Sequence, residues 1–315
     1  MASRRVRTGG RHTRRGGTSR RSLLGLGVLG TLAAGAAGYG WYEAGRLPAS
    51  ATGSRVAARF GDAPTAPTAP PRPDPVAQQR ERAVRAAQQV RRYAADLPGQ
   101  VSVAVVDQGT GTGFRIGDGL RFQTASIVKV DILAALLLQQ GRLTGAQRRT
   151  ATRMITVSDN AAASDLFAQV GGVSGLNRAN AALGLTETRP TPSWGTTTTT
   201  AADQIRLMRA LAGDDGPLGS TERELVLELM GDVVPEQRWG VSAGASSAGS
   251  RVWVKNGWVT VDEHDGRWLV NSVGRIAEGD RDWLVAILSD HHDSFDAGVA
   301  AVEQVARTAF DAWRD

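Results

Sequence analysis

Apolar positions fall into helical and strand-like regimes along the chain. From Val76 they recur at helical spacing through Ala83, Ala87, Val90, Ala94 and Leu97. Asp74-Pro75 stands in front, a capping residue followed by a proline suited to the first helical turn. Phe295, Val299, Val302, Ala306, Ala309 and Trp313 form a matching stripe at the other end. Runs of β-branched and aromatic residues predict strands at Val101–Val106, Gly113–Ile116, Val252–Val261, Trp268–Ile276 and Trp283–Ser289. A helical middle is predicted from about Ser126 to Met230. Strands gathered on either side of a helical insertion predict an α+β fold. About five antiparallel strands should be flanked by the N- and C-terminal helices, with a mostly helical lobe beside them.

Ahead of this domain the pattern changes twice. Residues 1–51 comprise a basic, Gly-rich arm, the pair Arg20-Arg21, and an apolar stretch from Leu23 to about Tyr42. This looks like a twin-arginine export signal, and the stretch is also just long enough to act as a membrane anchor. Ala49-Ser50-Ala51 is a candidate cleavage site. Either version places the remaining chain outside the cytoplasm, secreted or anchored, with the twin-arginine export machinery as a partner. Residues 52–74 are rich in Pro, Ala and Thr and read as an extended linker. The folded domain is expected over 75–315.

Charge and composition narrow the function. The net charge of +6 resembles a nucleic-acid signal, but eight arginines and no acidic residue precede Glu43. The basicity belongs to the arm, and nucleic-acid binding is set aside. With no cysteine, thiol nucleophiles, disulfides and thiolate-bound metals are excluded. Of 37 basic residues only Lys129 and Lys255 are lysine. Arginine stays protonated at ordinary pH, whereas a desolvated lysine can act as a base, so both become candidates for chemistry.

Several short matches carry less. Gly109–Gly113 leads into another strand and reads as a hairpin turn rather than a dinucleotide loop. Gly240-Val241-Ser242-Ala243-Gly244 matches a nucleophile elbow literally, but no strand pattern precedes it. His291-His292 should point to opposite faces of a strand, and spacing supplies no third ligand. No metal site and no cofactor is expected.

The strongest constellation begins at Ser126-Ile127-Val128-Lys129, which opens a helix apolar nearly all round. Three residues apart, Ser126 and Lys129 share a face, and burial near the helix start should depress the amine's pKa. Ser158-Asp159-Asn160 opens another helical segment, and Lys255-Asn256-Gly257 lies inside a late strand. Together the three motifs resemble those of the penicillin-recognising serine hydrolases, most closely the class A β-lactamases, over about residues 76–315.

The resemblance implies a β-lactamase-like fold and a set of roles. Ser126 would attack a lactam or peptide carbonyl, Lys129 would take its proton, and Ser158 would relay a proton to the leaving nitrogen. Lys255, Asn256, Gly257 and Asn160 would bind substrate, the lysine attracting its carboxylate and the glycine letting the substrate backbone approach. The backbone N–H groups of Ser126 and Trp258 would form an oxyanion hole. Three departures accompany these roles. Asn256 replaces the usual Thr or Ser, and the Ser126-to-Ser158 separation is short for class A. The loop before Thr196 lacks the deacylating Glu motif, leaving Glu187 as the only candidate base. The expected function is an extracytoplasmic serine hydrolase of the class A β-lactamase-like group that forms an acyl-enzyme with β-lactams and hydrolyses them, slowly where deacylation lacks its base. A D-alanyl-D-alanine peptidase or transpeptidase is the first alternative, and a catalytically impaired penicillin-binding or scaffold protein the second.

Overall fold

A computed structural model describes residues 74–246 and 249–314. The export arm, the apolar stretch and all of the linker except Asp74 lie outside the described residues. Helix α1 (Pro75–Ala95) starts where its cap is, with the Asp74 carboxylate accepting from the Val76 N–H. It buries Ala83, Ala86, Ala87 and Val90 against α8 (Phe295–Arg314), and the indole of Trp313 donates to Gln79 across the pair.

Both terminal helices pack against a five-stranded antiparallel sheet. Its strands are β1 (Val101–Asp107), β2 (Gly113–Ile116), β5 (Arg251–Val261), β6 (Arg267–Glu278) and β7 (Arg281–His292), in spatial order β2-β1-β7-β6-β5. The 109–113 glycines form the β1–β2 hairpin. The fold class and all five strands agree with the expectation. A second, two-stranded sheet joins β3 (Phe122–Gln123) to β4 (Thr198–Thr199), elements too short for a pattern to show.

The helical lobe comprises α2 (Val128–Gln140), α3 (Gly145–Thr156), α4 (Asn160–Val170), α5 (Gly172–Ala182), α6 (Ala201–Ala212) and α7 (Ser220–Gly231). Helix α2 is its buried axis, with every residue from Val128 to Leu137 out of solvent. Each buried Leu, Ile or Val contributes roughly 1.5–3 kcal/mol, which offsets the cost of enclosing Lys129 and Asp131 in the same run. No sequence pattern marks Asp131. Burial pushes its carboxyl up to about 8, neither oxygen finds a well-aligned partner among the described residues, and the group is an uncharged acid at neutral pH.

Among the described residues no helix is long and apolar enough to cross a membrane. The literal elbow match is a 3-10 turn, Gly240–Gly244, whose Ser242 hydroxyl donates to the Arg238 carbonyl; no strand-to-helix corner presents it. That reading is discarded.

Candidate active site

Ser126 sits in a single 3-10 turn, Ala125–Ile127, that runs directly into α2. The preceding Ala125 has φ +45°, a left-handed conformation that costs an alanine on the order of 1–3 kcal/mol and is held only by its surroundings. Asn271 on β6 supplies part of that hold. Its amide donates to the carbonyls of Gln123 (2.9 Å) and Thr124 (3.3 Å), tying the serine turn to the sheet. From the other side the Thr124 N–H donates to the Thr197 carbonyl at 2.7 Å.

Gly257 lies opposite Asn271 in the β5–β6 register. A Cβ there would stand 2.7 Å from Ser126 N and from the Thr124 carbonyl oxygen, and 2.8 Å from Ile127 N. The resemblance implies a glycine that makes room for substrate. The structure gives a different reason: it makes room for the backbone of the serine turn itself.

Lys129 is fully enclosed, and its Nζ donates to the Ser158 carbonyl (2.6 Å), to Asn160 Oδ1 (2.7 Å) and to Ser158 Oγ (3.0 Å). Three acceptors match the three hydrogens of an ammonium. No hydrogen bond joins Lys129 to Ser126 among the described residues, so in this state the amine is engaged by the second motif rather than by the serine. Burial pushes Lys129 down to about 8, with the Asp159 carboxylate pulling the other way.

Lys255 reaches the same hydroxyl from β5. Its Nζ donates to Ser158 Oγ at 3.0 Å and to the Asn256 carbonyl at 2.9 Å. Burial, and then the charge of Lys129, hold it well below the usual lysine range. Ser158 itself has φ +59°, which turns its carbonyl and its hydroxyl toward Lys129 together. Two buried amines therefore converge on one hydroxyl, and among the described residues neither forms a salt bridge. Their titration belongs to the pair.

Asn256 departs from its expected role. Alternate side chains on β5 face opposite sides, and Asn256 points away from Lys255. Both hydrogens of its amide go to the carbonyls of Gln237 (2.8 Å) and Trp239 (3.0 Å), so none is left for a substrate carboxylate. Trp258 shares that outer face, where its ring meets Trp239 and Phe295. Only its backbone belongs to the strand that packs on the Ser126 turn. Asn160 is exposed at the first position of α4, with its oxygen on Lys129 and its amide nitrogen free of intramolecular bonds among the described residues.

Glu187 is likewise removed from the role of base. Its carboxylate is shared among Arg121 (3.5 Å), Arg206 (3.9 Å) and the Thr200 hydroxyl (3.1 Å), none of them a site residue. The loop instead brings Trp194 to the site. Lys129 Nζ lies 5.0 Å from the centre of its ring, and its indole N–H donates to Ser164 Oγ at 3.0 Å. Sequence reasoning missed Trp194 although it stands in the very stretch searched for a glutamate, because the search was for a carboxylate.

The family model described as the beta-lactamase enzyme family matches residues 85–152 and 144–313. The chain belongs to the beta-lactamase enzyme family. Proteins similar to it include the "Putative lipoprotein LppW" of Mycobacterium tuberculosis, 28% identical over 230 residues, which span 69% of this chain and 71% of that protein. Among solved structures, a variant of the reconstructed last common ancestor of Gram-negative class A β-lactamases superposes with a TM-score of 0.62. It is 24% identical, covering 73% of this chain and 98% of its own. A mutant of PBP-A, solved as an acyl-enzyme complex with penicillin G, gives the same TM-score of 0.62 at 21% identity, covering 78% of this chain and 99% of its own. These superpositions establish the shared fold of the beta-lactamase enzyme family.

Proposed function

We propose that this chain is an extracytoplasmic serine acyl-enzyme former that is acylated by β-lactams on Ser126 and releases the acyl group slowly. The observation that carries this reading is the convergence of Lys129 and Lys255 on Ser158 Oγ, with no carboxylate in a salt bridge to either amine among the described residues. Burying two amines without counter-ions costs stability, and an anionic substrate is what such a site lacks. The carboxylate of a β-lactam would supply it.

In the proposed reaction Ser126 Oγ bonds to the lactam carbonyl carbon while its proton passes, directly or through one water, to the neutral form of Lys129. The developing oxyanion is received by the N–H groups of Ser126 and Trp258. The C–N bond then breaks, the Ser158 hydroxyl protonates the departing nitrogen, and a lysine proton restores Ser158. Acylation needs nothing further. Hydrolysis of the ester needs a base for water, and none of the groups on Lys129 is a carboxylate: they are Ser158, Asn160 and the Trp194 ring. A missing general base costs about 10²–10⁴ in rate, so the adduct should persist. The same economy of parts suits a D-alanyl-D-alanine peptidase, which the Glu187 geometry equally permits.

Export is supported by Arg20-Arg21 with the apolar stretch behind it, and by a relative named as a lipoprotein. For the reaction, the test is fluorescent penicillin followed by nitrocefin. The expected outcome is covalent label on Ser126, and a nitrocefin burst of about one equivalent before turnover roughly 100-fold slower or more. Absence of label would remove the proposal in favour of a scaffold, and steady hydrolysis without a burst would show an efficient base elsewhere.

The pH dependence follows from the amine. Only uncharged Lys129 accepts a proton, and with its value near 8 about one molecule in ten is in that form at pH 7. Labelling should accelerate about tenfold per pH unit below that value and level off above it, the inflection reporting the coupled lysine pair. A labelling rate that is flat between pH 6 and 9 would contradict the base role.

A further inference from the structure

Two objections stand against the adjacent pair His291-His292 as metal ligands: strand alternation should separate the two rings, and spacing places no third ligand. The structure upholds the first, since His291 and His292 still face apart, and answers the second with groups from outside the pair. The β6–β7 register joins Val270 to Ser289 and Trp268 to His292, so Asp290 and His291 occupy a bulge. There His291 takes φ +59°. His292 turns inward to Ser289 Oγ (2.9 Å), while His291 faces a cleft of about 620 Å³. The third group arrives from the turn Asp262–His264 between β5 and β6. Its His264 ring stacks on His291, centroids 3.8 Å apart and planes 22° from parallel.

We propose that His264, Asp290 and His291 bind a divalent cation of the zinc type, with a fourth position open to the cleft. One ligand atom from each lies within 4.8 Å of the others. Tetrahedral zinc ligands stand roughly 3.4 Å apart, so binding requires the half-buried imidazoles to rotate. The Nδ1 atoms of His264 and His291 are both buried and without a hydrogen-bond partner. His291 Nδ1 is 2.8 Å from Asp290 Oδ1 but not aligned to form a hydrogen bond with it. Asp290 is held by the Gln100 N–H at 2.9 Å, as a fixed ligand would be. Gly99 closes the cradle, since a Cβ there would stand 2.1 Å from the Asp290 carbonyl oxygen and 2.6 Å from His291 Cβ. Two imidazoles and one carboxylate favour zinc over calcium or magnesium, which prefer oxygen throughout.

The test uses the untagged full chain, stripped with chelator and titrated with Zn²⁺, with Co²⁺ as a spectroscopic stand-in. One equivalent per chain should bind, the melting temperature should rise, and cobalt should show the visible bands of a four-coordinate ion. His264→Gln and His291→Asn, the latter tolerant of positive φ, should each weaken binding about tenfold or more. His12→Ala, in the N-terminal arm, should bind as the parent does. In the unmutated chain, Zn²⁺ should protect His264 and His291, but not His12, from diethyl pyrocarbonate. Failure to saturate at one equivalent, binding indifferent to both variants, or modification unchanged by Zn²⁺ would overturn the proposal.

Discussion

Replacing Ser126 by Ala is expected to abolish penicillin labelling while shifting the melting temperature by no more than about 2 °C. A half-buried hydroxyl that makes no intramolecular hydrogen bond among the described residues contributes little to stability. Lys129→Arg separates two roles for the amine. Arginine keeps the charge but cannot take a proton, so labelling should fall by about 10³ or more if Lys129 is the base. If the residue served only as a cation, much of the rate would survive. Lys129→Met is the companion for the chance that an arginine does not fit this enclosed position. It should be as slow, and should also destabilise by about 1–3 kcal/mol, because the Ser158 carbonyl and Asn160 Oδ1 lose their donor. Label appearing on Ser242 in the Ser126→Ala protein would instead revive the discarded elbow.

The second large effect is expected at a residue with no side chain. Gly257→Ala places a methyl group 2.7 Å from two backbone atoms of the serine turn, and no flexible side chain can yield in their place. The turn must shift. Overpacking of this kind costs about 1–3 kcal/mol. A displacement near 1 Å at the nucleophile costs on the order of 100-fold in rate. Both losses should appear together, in thermal unfolding and in labelling kinetics. Labelling at the parent rate in Gly257→Ala would mean that the turn and β5 are less tightly engaged than described. The substitution also tests the oxyanion arrangement, since it acts on the contact that sets Ser126 N beside the strand carrying Trp258.

Much of this molecule could be read without coordinates. Helical stripes ending in Trp313 and beginning behind Asp74, five strands, and two lysines in a chain otherwise supplied with arginine are all properties of residue order. They are visible because burial imposes a period of two or of 3.6 on apolar positions. The three motifs were legible for a related reason: each is a short run of neighbouring residues at a helix start or within one strand, so spacing alone groups its members.

What spacing could not show was contact between elements. Whether Lys129 leans on Ser126 or on Ser158 depends on how α2 packs against α4. Whether Asn256 faces the cleft depends on the pleat of β5. Trp194 and Asn271 come to the serine turn from loops and strands far away in the chain, and no local pattern announces either. The histidine site is the clearest case. Alternation did separate His291 from His292, but it could not show that Asp290 shares the cleft with His291 across a bulge, or that His264 approaches them from a different turn. Residue order determined the elements and the inventory of reactive groups. The tertiary structure decided which of those groups meet, since that is settled by the packing of surfaces whose partners are distant along the chain.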